Sequence, residues 1–202
     1  MGEGILDRPA IADNSVLVNF VDAGQAELLF RIAGGPVYVA PSVVDPSEVP
    51  PFETEPRAET NRFLYSHEGD ADHLERWCNR LSFVLEKHGE FWQQAELSDE
   101  LLARALGYKK RFPGMRERDG DAESLVLAEA NGWVLLCDDT DLRKAARSLG
   151  VVVRRTCGLL LMAVEAGFLT CAEAVTLYNT IMVEQNHFYS HVRIDPDGCG
   201  CG

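Results

Sequence analysis

Three candidate strands of this 202-residue chain run directly into acidic residues. Asp13 follows the short apolar run at 10–12. Asp45, and then Glu48, follow a β-branched and aromatic run at 37–41. Asp138 and Asp139 follow the continuous apolar run at 133–137. A fourth acid, Asp121, opens a helix that leads back into that last strand. In an open parallel sheet, ligands bind beyond the carboxyl ends of the strands. A helix that feeds a strand starts at that same edge, so Asp121 belongs with the others. Several carboxylates cannot sit together ionised without help, because like charges raise one another's pKa. A hard divalent cation with oxygen ligands, Mg²⁺ or Mn²⁺, relieves the repulsion. Such an ion activates water and neutralises phosphate charge, which suits cutting a phosphodiester. Each acid taken alone has a plainer use as a helix cap or turn residue. Their coincidence at three strand ends is harder to explain that way.

The elements that must position these acids alternate. Apolar residues at helical spacing (Val16, Leu17, Phe20, Val21, then Leu28, Leu29, Ile32) predict a helix interrupted at Gly24 and stopped at Gly34. The proline-rich stretch 46–56 reads as an irregular loop. Residues 72–92 read as one long amphipathic helix, with Leu74, Trp77, Leu81, Val84, Leu85, His88 and Phe91 on one face. Ser98 caps a second helix that Gly107 ends. After the strand at 133–137 come a short basic helix at 142–149, a strand at 151–154 and a helix at 158–167. Thr170 and Glu173 form a capping box for a final helix to about residue 187. Strands alternating with helices imply an α/β fold: three layers, α/β/α, around a parallel sheet of four to five strands. The expected organisation is a single domain over 1–194, enlarged by a helical segment at about 50–118, with a loose tail at 195–202.

Charge and composition narrow the function. The net charge is −13, so binding a polyanion by bulk electrostatics is excluded, and any nucleic-acid contact must be local or metal-assisted. The one concentrated basic patch, Lys109, Lys110, Arg111, Arg116 and Arg118, directly precedes Asp121 and could hold a phosphate backbone beside the metal. Arg143, Lys144 and Arg147 follow the acid pair. The bland alternative for each is a solvated cation or a charge that favours a helix end. No apolar run is long enough to span a bilayer, and the first eight residues carry no basic signal-like start, so the expected location is the cytoplasm. Of six cysteines, Cys78, Cys137, Cys157 and Cys171 are scattered and read as small core residues, only Cys199 and Cys201 lie close together, and a disulfide framework is not expected.

Taken in order, these segments resemble the PIN-domain nucleases, including their toxin-like members. Residues 12–20 (ADNSVLVNF) are similar to the family's opening, where a strand-ending Asp precedes a small hydroxyl residue and an apolar helix. Residues 120–132 resemble its acidic helix start, and 133–139 (WVLLCDD) its third strand and terminal acid. Residues 143–147 and 151–169 resemble its last strand and helices. The resemblance implies Mg²⁺- or Mn²⁺-dependent cleavage of RNA by an activated water, leaving a 5′-phosphate and a 3′-hydroxyl. Asp13 maps onto the first catalytic acid, Asp121 onto the third and Asp139 onto the fourth, with Asp138 as its neighbour. Ser15 and Asn19 map onto polar residues beside the metal. The family's second acid is a Glu at the start of the helix after strand two. Here a proline interrupts that stretch, leaving Asp45 and Glu48 as candidates, with Glu48 the better residue type. The resemblance also implies an RNA substrate, an antitoxin-like or regulatory protein partner and a homodimer. The alternative is a degenerate PIN-like module that binds RNA or protein without catalysis.

Other constellations carry less. His187, His191, Cys199 and Cys201 suggest zinc ligands, but Cys-x-Cys is tighter than the usual spacing. Cys157 opens a helix but has no partner His for thiol chemistry. A phosphatase-like reading needs a second Asp two residues after a nucleophilic one, and Asp13-Asn-Ser15 lacks it.

Overall fold

In the computed structural model, which describes residues 4–185 and 192–195, five parallel strands form one sheet in the order β3-β2-β1-β4-β5. These are β1 (Ala10–Ala12), β2 (Val37–Val39), β3 (Trp92–Gln94), β4 (Val134–Leu136) and β5 (Val153–Arg154). Ile11 is the central register point, paired with Tyr38 on one side and Leu135 on the other. All three residues of β1 and of β4 are buried. That explains their continuously apolar sequences: a strand covered on both faces has no solvent side on which to alternate.

Helices cover both faces. The crossover from β1 to β2 is α1 (Asn14–Asp22) and α2 (Ala26–Ala33). The crossover from β2 to β3 is α3 (Glu59–Ser66) and α4 (Leu74–Glu86), which pack beside α1. The chain then crosses back through α5 (Asp99–Arg111) and α6 (Asp119–Asn131), and α7 (Thr140–Ser148) follows β4. After β5, α8 (Thr156–Glu165) returns to pack on α2, and α9 (Cys171–Val175) continues as a π-helical segment over Thr176–Gln185. This is the expected three-layer α/β/α fold. The strand order reverses between β1 and β4, the switch point at which open sheets bind ligands.

Two expectations change. The long helix over 72–92 stops at Glu86, because Gly89 adopts φ 80°, a conformation glycine tolerates and helix does not. Beyond it, Trp92 begins the edge strand β3. Its fully buried indole donates to the Phe83 carbonyl at 2.8 Å, tying the strand to α4. His88 and Phe91 continue the apolar spacing by packing on Trp92 and Phe30 from the turn, which makes the periodicity look unbroken. The segment 50–118 is therefore not only a helical enlargement; it supplies a strand to the sheet. The second helix also runs through Gly107 to Arg111.

Cys157 is disulfide-bonded rather than a free core thiol. The zinc ligands considered above, His187, His191, Cys199 and Cys201, lie outside the described residues. No helix among the described residues is long and apolar enough to cross a membrane.

Candidate active site

Asp13 stands where β1 gives way to α1, and it serves as the helix N-cap. The Ser15 amide and hydroxyl donate to its Oδ2 at 3.2 and 2.7 Å. Its Oδ1 is buried and accepts no hydrogen bond among the described residues. Buried acceptors are nearly always paired, so an orphaned carboxylate oxygen at a sheet edge is free to meet a cation or an ordered water. Burial raises the Asp13 pKa, against the lowering effect of the Ser15 bonds and the nearby Asn14 amide, and Asp139 raises it further. Ser15 also accepts from the Asp138 amide at 3.0 Å, so one hydroxyl joins the ends of β1 and β4.

Asp121 lies in the first turn of α6 and is almost fully buried. Burial and the nearby Asp13 charge push its pKa up to about 8; Arg118 opposes, while Asp139 and Glu59 add to the rise. Asp139 caps α7, its Oδ1 accepting the Asp141 and Leu142 amides at 2.8 Å each. Its Oδ2 accepts Arg118 Nη1 at 2.6 Å. Burial pushes Asp139 upward, but these amides and the guanidinium outweigh it and hold its pKa below the ordinary value. The same Arg118 nitrogen lies 3.4 Å from Asp121 Oδ2, so one guanidinium spans two acids.

A fourth acid at this edge is Glu59, the first residue of α3, which the sequence reading did not single out. Its pKa rises to about 7 through burial and then through the Asp13 charge. Asp121 feels it in turn. Two contacts dock it. The Thr60 hydroxyl donates to Asn14 Oδ1 at 3.0 Å, joining the start of α3 to the start of α1. Gly120 leaves room for the carboxylate: a Cβ there would fall 2.8 Å from Glu59 Oε1 and 3.0 Å from Val43 Cγ2. Gly120→Ala is expected to displace Glu59 and cut metal affinity about 10- to 100-fold with little change in melting temperature. Calorimetric Mn²⁺ titration checks this, and an unchanged affinity would remove Glu59 from the site.

Asp45 and Glu48, the candidates for this role, are used otherwise. Asp45 Oδ1 accepts the Ser47 amide and hydroxyl at 2.9 and 2.7 Å. Glu48 Oε2 accepts the Arg57 and Ala58 amides at 2.8 and 3.0 Å, just ahead of α3. Asn61 clamps the whole turn through the Asp45 amide and the carbonyls of Asp45 and Glu48. The Asp138 carboxylate is likewise taken up by other partners. Asn19 Nδ2 donates to its Oδ2 at 3.2 Å, Thr156 donates from amide and hydroxyl, and Arg155 Nε lies 3.6 Å away. Asn19 and Asp138 thus bind the site floor to the start of α8.

The basic residues divide as well. Lys109 pairs with Asp119. Arg143 donates to the Asp139 carbonyl and the Thr140 hydroxyl at 3.1 and 3.0 Å, within the first turn of α7. Arg111 lies over the Phe112 ring. Lys110 and Arg116 are exposed and have no ion-pair partner among the described residues.

The raised carboxyl groups have a consequence for stability. A carboxyl whose folded pKa exceeds its unfolded value of about 4 binds more protons when folded, so stability falls as pH rises. For Glu59 and Asp121 the fall runs from about pH 4 to their folded values of about 7 and about 8. Melting temperature in EDTA should therefore decline across that window, and Asp121→Asn should flatten the decline. A melting curve independent of pH up to 8 would contradict this account of the burial.

A doubly wound α/β/α sheet with four acids gathered at its switch point is a nuclease-type architecture. The chain belongs to the PIN-domain family: a family model described as PIN domain matches residues 86–194, and PIN domains are generally nucleases. The match includes Arg118, Asp121 and Asp139, while Asp13 and Glu59 lie ahead of it. No curated protein and no solved structure matches the chain.

Proposed function

We propose that this protein is a Mg²⁺- or Mn²⁺-dependent endoribonuclease. The observation that carries the reading is the buried, unpartnered Oδ1 of Asp13 among carboxylates that raise one another's pKa. Asp13, Asp121, Asp139 and Glu59 would hold the ion, an all-oxygen donor set suited to a hard cation. When bound, the ion would lower the pKa of a coordinated water and neutralise phosphate charge. The chain's own residues do the rest. Ser15 fixes the Asp13 rotamer, and the α7 amides fix Asp139. Arg118, between Asp121 and Asp139, would supply positive charge beside the site to meet a phosphate oxygen. Lys110 and Arg116 extend that charge along the surface and favour the backbone of an RNA strand.

Cleavage of a mixed-sequence single-stranded RNA, with Mn²⁺ and with EDTA, tests the proposal. Internal cuts that need Mn²⁺ and leave 5′-phosphates are the expected result. RNA binding without cleavage under both conditions would favour the degenerate module.

A further inference from the structure

We infer that His67, Asp70 and His73 form a second metal site, for a transition-metal ion of the Zn²⁺ class, that clips α3 to α4. Among the described residues, this is the group of His, Cys, Asp and Glu side chains that places one ligand atom from each within 4.8 Å of the others. The acids of the sheet edge, two of them spanned by Arg118, are not drawn together that closely. The three residues occupy the short connection between α3 and α4, at intervals of three.

The rings are already oriented. His67 Nδ1 lies 3.1 Å from the Phe63 carbonyl and 2.8 Å from Ser66 Oγ. With its Nδ1–H donated to that carbonyl, its Nε2 keeps a free lone pair. Donation of the other ring N–H to a carbonyl is the usual support of a metal-bound histidine. The His67 ring also stacks on Phe63, with centroids 4.2 Å apart and planes 21° from parallel. Phe63 in turn lies 3.8 Å from the Arg80 guanidinium, which Asp22 holds from α1. His73 Nδ1 lies 2.9 Å from Asp70 Oδ2, and the Asp72 amide orients that carboxylate through Oδ1 at 3.0 Å. A metal would replace the proton between His73 and Asp70. Tetrahedral bonds of about 2.0 Å need a ligand–ligand edge of about 3.3 Å, so the pair opens by only a few tenths of an ångström.

Donor chemistry separates this site from the first. Two imidazoles and one carboxylate suit Zn²⁺, Co²⁺ or Ni²⁺ rather than Mg²⁺. All three residues are half-buried, so an ion can enter from solvent. Because α3 begins with Glu59, an ion at its far end would also steady the element that brings this acid to the sheet edge.

The test uses the full chain carrying Asp13→Asn and Asp139→Asn, which silences the sheet-edge acids. Titration with Co²⁺, followed by calorimetry and visible absorption, should show one ion per chain at this site. The spectrum should carry d–d bands without thiolate charge transfer, and the melting temperature should rise on binding. His67→Gln with His73→Gln should weaken this binding more than about 100-fold and abolish the rise, leaving the metal-free melting temperature little changed. Asp70→Asn, which preserves shape and both rings, should weaken it at least about 10-fold. Unchanged Co²⁺ affinity in these variants, a thiolate charge-transfer band, or no binding at all would overturn the inference. Since the readout is metal binding away from the four acids, its failure would leave the nuclease reading standing.

Discussion

Asp13→Asn is expected to reduce Mn²⁺-dependent RNA cleavage by more than about 1,000-fold while leaving the protein folded and no less stable. The substitution is nearly isosteric, so the Ser15 contacts that hold the side chain can persist. What disappears is the negative charge on an oxygen that has no partner among the described residues. In the folded chain that charge is a cost, because it is buried and faces Asp139. Its removal should raise the melting temperature in EDTA slightly. The combination of lost cleavage and retained stability distinguishes a metal-holding acid from a structural one. Asp138→Asn gives the contrast. Its carboxylate is committed to Asn19, Thr156 and Arg155, so it should lower stability more than metal affinity. If Asp13→Asn cleaves RNA as the wild type does, the ion is not held where we propose.

The largest effect on stability is expected from Arg80→Ala. Arg80 reaches from α4 to Asp22 at the end of α1, donating from Nε and Nη2 at 2.6 and 2.8 Å. Both side chains are nearly sealed from solvent, at 9% and 6% exposure. Deleting one partner leaves an uncompensated buried charge, which costs about 3–5 kcal/mol. For a chain of this size that corresponds to a fall in melting temperature of roughly 10 °C. Replacing both residues with apolar ones of similar volume should cost much less, because the desolvation of the pair is also removed. Chemical denaturation of the two single variants and the double variant separates these terms. A loss below about 1 kcal/mol for Arg80→Ala would show that water reaches the pair.

Much of the fold is legible in the order of residues because local physics and burial agree there. The runs at 10–12 and 133–137 are apolar throughout, as strands buried on both faces must be, and they are β1 and β4. Thr170 and Glu173 cap α9 through reciprocal side-chain bonds, which four consecutive residues suffice to specify. The edge strand was hidden for the opposite reason. Trp92–Gln94 is short, only its first residue is buried, and it follows a helix whose apolar spacing its own neighbours prolong.

The site divides along the same line. Asp13, Asp121 and Asp139 are marked by their positions: each sits where an element starts, and in an α/β chain those starts alternate between two edges in a known way. Sequence by itself determined the layered parallel fold and the acidic balance, and it pointed to Asp13, Asp121 and Asp139 as residues of one sheet edge. Only the tertiary structure decided the rest. It set Asp139 against Arg118, while Thr156 and Asn19 from distant elements bond the Asp138 carboxylate. It brought Glu59 rather than Glu48 beside Asp13 and Asp121, because a loop shaped by its prolines and the Asn61 clamp carries the start of α3 11 residues further along the chain, against Asn14 and Gly120. Both arrangements depend on contacts between residues far apart in sequence, and local propensity does not encode those.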